Sequence, residues 1–236
     1  MYYKYKIYLL FFLLLSCSIA FSKDILPCKQ DQERLKKRSE ELQQIAEEDQ
    51  LDRKNNPEKL EWETLFQRDE KRRKRVGEIF GEGCLQTSSD YKNAALVFQH
   101  GNVPDHFFQT FLWAKKAVDL GDQSAKRLMT LGIDRYLVYS GKKQLFGTQA
   151  TLLSDSSCWC LNQVELTFPD KKRLEYAGKN LVESLQWISS LNSKNPSCKI
   201  IQFCNSKAKN SPAGTIPGFW LKTYFINYVN LYKHKM

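Results

Sequence analysis

Helix start and stop signals run through most of this 236-residue chain and leave little room for any other fold class. Residues 29–54 read as a long polar helix with Leu35, Leu42 and Ile45 on one stripe. Asn56-Pro57 supplies an N-cap followed by proline at the first helical position. A second helix follows, carrying Leu60, Leu65, Phe66, Val76, Ile79 and Phe80, and Gly81 and Gly83 close it. Ser89 and Asp90 cap a third helix over 91–100, stopped by Gly101. Pro104-Asp105 opens a fourth that ends at Gly121. Asp122 caps a fifth, through Ala125, Leu128, Met129, Ile133 and Tyr136.

Past Gly141 the pattern changes. Residues 144–153 and 159–168 are short stretches rich in β-branched and aromatic residues, joined by Ser-Asp-Ser-Ser, and predict a small hairpin. Asp170 caps a sixth helix with Leu174, Ala177, Leu181, Leu185 and Ile188 on one face. The expected fold is mainly α, a compact bundle of about six helices with one small β-hairpin at about 144–168. It occupies residues 23–192. Residues 193–218 read as a loop, and 219–236 as a C-terminal helix with Trp220, Tyr224, Tyr228 and Leu231 at helical spacing.

Residues 1–22 read as a signal peptide, with Lys4 and Lys6 ahead of the apolar run 7–15. The stretch 7–21 falls short of the roughly 20 apolar residues of a spanning helix. Two cleavage modes remain open. Leu14-Leu15-Ser16-Cys17 resembles a lipobox, which would place a lipid on Cys17, whereas Ser18-Ile19-Ala20 or Ala20-Phe21-Ser22 would release a soluble protein. The expected location is the periplasm, the outer membrane as a lipoprotein, or the extracellular space.

Six further cysteines, Cys28, Cys84, Cys158, Cys160, Cys198 and Cys204, are an even set that favours disulfides in an exported chain. Cys198 and Cys204, six apart in a loop-like stretch, suggest a local pair. Neither a second cysteine pair nor a histidine stands at zinc-ligand spacing, so no metal and no cofactor is expected.

The net charge of +10 invites a nucleic-acid reading, yet +7 of it lies in the acid-free residues 193–236. No nucleic-acid partner is expected, and the run Lys71 to Arg75 reads as a solvated helix face. The tail could meet an anionic membrane surface through its last helix, as could a lipid on Cys17. The sequence contains no P-loop and no G-x-G-x-x-G, G-x-S-x-G or H-E-x-x-H. The corresponding phosphate, dinucleotide, serine-hydrolase and zinc-peptidase chemistries therefore have no support.

One local rule is broken in the first helix. Its apolar stripe continues at the same steps onto Asp49 and Asp52, with Arg53 beside them. A buried carboxylate is costly unless paired, so either the helix leaves the core there or partners meet these groups. Gln99 and His100 end the third helix, where the helix dipole favours an imidazolium. Asp134-Arg135 is a further acid–base pair, and Gln144, Thr148 and Gln149 flank a glycine-punctuated turn.

Taken in order, D-Q-L-D-R at 49–53, A-L-V-F-Q-H-G-N at 95–102, D-R at 134–135 and G-K-K-Q-L-F-G-T-Q at 141–149 resemble a bacterial family. That family is the domain of unknown function 6624, with its D-x-x-D-R, Q-H-A-D, D-R and G-x-x-Q-x-Y-G-T-Q pattern. The likeness covers about residues 45–192 and includes a closing helix with Pro169, Asp170, Arg173 and Gly178. It implies that Asp49, Asp52, Arg53, Gln99, His100, Asp134, Arg135, Gln144, Thr148 and Gln149 converge. Two positions depart from it: Gly101-Asn102 replaces the A-D after the histidine, and Phe146 removes the tyrosine hydroxyl. Residues 111–122 also resemble a Sel1-like repeat, but a single copy cannot form a solenoid, which needs about three.

Two functions follow as expectations. One is an exported protein that binds a small molecule or protein partner through this polar cluster, or keeps the cluster as a structural network. The other is a hydrolase-like enzyme, with His100 as general base or acid, Asp49 or Asp134 orienting it, and Arg53 or Arg135 holding an anionic substrate.

Overall fold

The computed structural model describes residues 28–54, 61–154, 156–198, 203 and 204. The signal segment, Cys17, Asn56-Pro57 and the C-terminal helix expected at 219–236 lie outside these residues. The fold is mainly α with one small hairpin, as the pattern predicts. Its α-helices are α1 (Gln32–Lys54), α2 (Trp62–Gly81), α3 (Ser88–Phe98), α4 (Pro104–Asp119), α5 (Lys126–Tyr139), α6 (Asp170–Ala177) and α7 (Leu181–Leu191). Strands β1 (Ala150–Leu152) and β2 (Trp159–Leu161) pair antiparallel, with Thr151 opposite Cys160. Among the described residues no helix is long and apolar enough to cross a membrane.

Helix α4 packs between α3 and α5, and α1 and α2 close over α3. Leu42, Val76, Ile79, Ala94, Val97, Trp113 and Met129 form the main core. The α4–α5 crossing is close because Gly132 has no side chain. A Cβ there would meet the backbone of Phe111 at 2.8 Å and of Phe107 at 3.0 Å. A second cluster, Ala150, Trp159, Leu161, Val164 and Ile188, lies between the hairpin and α7.

Several expectations are corrected. Thr87, not Ser89 or Asp90, caps α3, through a capping box in which Asp90 is the returning acid. The strands are shorter than 144–153 and 159–168, because the Gln144 side chain, in place of a strand backbone, meets the Gln149 and Asn162 carbonyls. The single sixth helix is two, separated by Gly178 at φ +71°, a left-handed cap that glycine adopts without penalty. The break turns Leu174 outward, where it is 48% exposed. Asp170 is the first residue of α6, and its carboxylate accepts from Arg173 at 2.8 Å and from the Leu181 amide at 3.1 Å.

The basic run 71–75 is a solvated face only at Lys71 and Lys74. Arg72 and Arg73 are buried, and Arg75 pairs with Glu41 and Glu78, since the helix period turns these positions toward α1 and α3. Arg34 and Arg38 converge on Glu82 at 3.1 and 2.7 Å, so ion pairs join the polar α1 to the far end of α2.

The disulfides are Cys28–Cys84, Cys158–Cys198 and Cys160–Cys204; the local pair of Cys198 with Cys204 is not formed. Cys158 and Cys160, two apart at β2, share one face. Phe203 forms a parallel bridge with Leu161 at the end of β2, which sets Cys204 beside Cys160, while Cys198 reaches Cys158 from the short helical turn Pro196–Cys198. Three disulfides fit a protein outside the reducing cytoplasm.

Candidate functional site

Helix α1 does not leave the core after Ile45. Its buried line is Leu42, Ala46, Asp49 and Arg53, and Asp49 has no exposed surface at all. Its partners are Arg53 of the same helix and His100 past the end of α3, and α2 meets Arg53 in turn. Arg53 donates through Nη1 to Asp49 Oδ1 at 2.8 Å and through Nη2 to Asp69 Oδ2 at 2.5 Å. Arg72 bridges onward from Asp69 Oδ1, at 3.1 Å, to Asp52, which Arg68 also meets at 3.0 Å. At the other end, His100 Nδ1 lies 2.9 Å from Asp49 Oδ2. The result is a chain of alternating charge, Asp52–Arg72–Asp69–Arg53–Asp49, that ends on the His100 imidazole and so crosses from α1 and α2 to the end of α3.

Burial would raise the Asp49 carboxyl, but the charge of Arg53 and hydrogen bonds from His100 and Gln50 hold it below the ordinary carboxylate range. Burial and the charge of Arg53 push the His100 imidazole below its ordinary value, against the pull of Asp49. His100 is therefore neutral near pH 7, and the imidazolium expected from the helix dipole is not the favoured form. Its side chain is 12% exposed. Two buried or half-buried arginines satisfy the end of α3 instead. Arg73 donates to the His100 carbonyl at 3.0 Å and Arg135 to the Gln99 carbonyl at 2.6 Å. Gln99 is itself buried, and its Oε1 accepts no hydrogen bond among the described residues.

Asp134, Gln144, Thr148 and Gln149 form a second cluster. The Asp134 carboxylate accepts from the amides of Leu145 (2.8 Å), Phe146 (3.0 Å) and Thr148 (3.0 Å) and from the Thr148 hydroxyl (2.9 Å). Burial pushes this carboxyl above the ordinary range, while those four donors pull it back. Every neighbour donates, so the ionised form is the one this geometry serves at neutral pH.

The Gln144 side chain behaves as a strand edge. Its Nε2 donates to the carbonyls of Gln149 and Asn162, and its Oε1 accepts from the Gln149 amide, at 2.8–2.9 Å. Buried Arg173 takes the Leu145 carbonyl at 2.8 Å, and Arg135 meets Gln149 Oε1 at 3.2 Å. The turn at 144–149 is thereby pinned from four sides.

The ten expected residues thus fall into two clusters joined by Arg135, which touches Gln99 at one and Gln149 at the other. Asp134 does not orient His100, because its partners are the turn amides and the Thr148 hydroxyl. Asp69, Arg72 and Arg73 went unrecognised in the sequence. Their signal is the three- and four-residue spacing that repeats that of Asp49, Asp52 and Arg53 on the facing helix.

The outer face of the turn borders a shallow surface cleft lined by Phe146, Gly147 and Thr148 together with Arg127, Lys179 and Trp187. Among the described residues no group of three or more His, Cys, Asp or Glu could hold a metal ion. Comparison with protein-family models, curated proteins and solved structures finds no match for the chain.

Proposed function

We propose that this chain is an exported binding domain, in which the two polar clusters are a structural network that holds the turn at 144–149 as one wall of a recognition cleft. The observation that carries the reading is the internal engagement of the charged groups. Arg53 uses both terminal nitrogens on Asp49 and Asp69, and Arg135 is engaged by Gln99 and Gln149. Asp134 accepts four hydrogen-bonding groups of its own turn. The cleft, by contrast, is open beside that turn.

The same proposal takes the chain as a relative of the domain of unknown function 6624, with the shared motif residues acting as support for the turn. Export rests on the signal-like segment and on the disulfides. Cleavage before Cys17 would add a lipid there, and radioactive palmitate would then label the mature protein. The lipid or the tail beyond residue 204 would supply any membrane contact, and deleting 205–236 tests the tail's share on anionic liposomes.

A hydrolase-like reading draws on the 2.9 Å contact of His100 with Asp49, the base-and-orienter half of a catalytic triad. It also requires an arginine to hold an anionic substrate, and both arginines named for that role are engaged inside the protein.

Thermal denaturation with a metabolite panel separates the two. The binding reading expects His100→Ala to melt earlier than the wild type while keeping the same ligand-induced shift. A turnover shown by the wild type and lost in His100→Ala would replace the binding reading with the enzyme.

A further inference from the structure

Among the described residues, the buried arginines are matched by carboxylates with one exception. Arg53 and Arg72 hold Asp49, Asp69 and Asp52, and Arg173 meets Asp170 at 2.8 Å. Arg73, only 7% exposed, forms no ion pair among the described residues, and its one hydrogen bond there runs from Nη1 to the His100 carbonyl. The charges that favour it belong to Asp69, already held by Arg53 and Arg72, and to Glu70, an exposed residue just before it on α2. Burial outweighs them and pushes Arg73 below its ordinary value. A cation at this depth is costly until an anion meets it.

The bond to the His100 carbonyl places this guanidinium where α3 passes into α4. His106, on the first turn of α4, comes to the same junction. Burial and the charge of Arg73 push its imidazole below the ordinary value, with Asp105 opposing them. The ring stands edge-on to Phe98, centroids 5.7 Å apart, and Nδ1 accepts from the Asn102 amide at 3.4 Å. The proton of the neutral ring is therefore on Nε2, which makes Nε2 a donor. No side chain caps α4, since Val103 stands at its N-cap and Pro104 follows. Its first-turn amides and the positive end of its dipole face the junction.

We propose that the α3–α4 junction binds a small tetrahedral oxyanion, phosphate or sulfate, between the Arg73 guanidinium and the His106 imidazole at the uncapped start of α4. None of these residues lines the cleft at 144–149, and the site does not rest on the reading of that cleft. Arg73 brings the charge and a fork of N–H groups, His106 a neutral donor, and the helix start a partial positive charge. With so little of Arg73 exposed, one anionic group fits the place and a polyanion does not.

The test is titration of the full chain with sodium phosphate, sulfate and methyl phosphate against sodium chloride at matched ionic strength, which holds screening constant. Calorimetry reads the affinity. The imidazole NMR signal of His106, assigned among three histidines by His106→Gln, reads the place. Phosphate and sulfate are expected to bind saturably. Sulfate should also raise the pKa of His106, because it offsets the Arg73 charge that holds the ring down. Arg73→Gln should weaken phosphate at least about tenfold, one lost charged contact. Two exposed or half-exposed positions keep the test decisive if that variant does not fold. Glu70→Gln removes an acid that competes for the guanidinium and should tighten phosphate, whereas Asn102→Asp adds an acid to the junction and should weaken it.

Methyl phosphate matching phosphate would uphold the site and put the group at the end of a larger molecule; phosphate binding without methyl phosphate would uphold it for the free ion. Chloride shifting His106 as sulfate does would overturn the oxyanion class, as would silence from phosphate and sulfate alike. A folded Arg73→Gln that binds phosphate at wild-type strength would overturn the site. So would Glu70→Gln and Asn102→Asp if both leave the affinity unchanged.

Discussion

Replacing Asp134 isolates what the turn at 144–149 owes to one buried carboxylate. In Asp134→Ala the amides of Leu145, Phe146 and Thr148 and the Thr148 hydroxyl lose their acceptor in a site closed to water. A buried donor left without a partner costs about 1–3 kcal/mol. Taken at the low end for each of the four, the variant loses about 4 kcal/mol, a large part of a typical domain's 5–15 kcal/mol. Asp134→Asn is the sharper test. Its oxygen can still serve Leu145 and Phe146, and the Thr148 hydroxyl can turn to accept from the new amide. The Thr148 N–H, 3.0 Å away, then faces a donor, and the loss should be about 2 kcal/mol. Urea unfolding at pH 7 with the disulfides intact measures both. A loss below about 0.5 kcal/mol in Asp134→Asn would mean that the native carboxyl is protonated, since asparagine mimics that form, and the anionic clamp would be refuted.

Three further perturbations have computable outcomes. The His100 and His106 imidazoles are both held below their ordinary value of 6.5, chiefly by burial. Below about pH 6.5 the unfolded chain takes up protons that the folded one refuses, so stability should fall as pH drops from 7 to 5. His100→Gln with His106→Gln should flatten that slope, and a rise in wild-type stability over the same range would show a charged histidine instead. Removing the Cys28–Cys84 disulfide frees a loop spanning 56 residues, worth about 4 kcal/mol in chain entropy, as equilibrium unfolding of the double serine variant should record. Gly132→Ala gains about 1 kcal/mol of helix propensity but drives a methyl into the backbone of Phe111 and Phe107. A net loss of about 2 kcal/mol is expected, and a melting temperature at or above the wild type would rule out the close crossing.

The helices were legible because their ends carry local chemistry. Pro104 at the start of α4, Gly121 and Gly141 after α4 and α5, and Asp122, which caps the short turn Gln123–Ala125 leading into α5 and not α5 itself, act within a few residues. The split at Gly178 was not legible, since Ala177, Leu185 and Ile188 keep a helical period across the break and only a left-handed backbone separates them. The disulfides were hidden for a different reason: Cys158 and Cys160 find partners 40 and 44 residues away, at Cys198 after α7 and at Cys204 beside the Leu161–Phe203 bridge, and no local signal marks such a distant return. Asp49 announced itself by breaking an apolar stripe. Its counterparts did not, because Arg72 and Arg73 stand in a run of five basic residues whose summed charge looks like a solvated surface. Spacing, not charge, marks the buried members of that run.

That difference explains why a helix as polar as α1 can belong to the core. Its buried line offers Leu42 and Ala46 and then only charge, so apolar burial alone cannot hold its last turns against α2. Alternating pairs with Asp69 and Arg72 replace the missing contacts, and Asp69 has a cation on either side while Asp49 lies between Arg53 and the His100 imidazole. Such a chain is only as good as its weakest member. Removing Arg53 strands Asp49 and Asp69 together, the situation in which a broken buried pair costs about 3–5 kcal/mol. The end at His100 also leads toward the second cluster, because Arg135 takes the Gln99 carbonyl next to it and reaches Gln149 at the turn. Damage at α1 can therefore reach the wall of the cleft through two side chains, although no residue of α1 lines it.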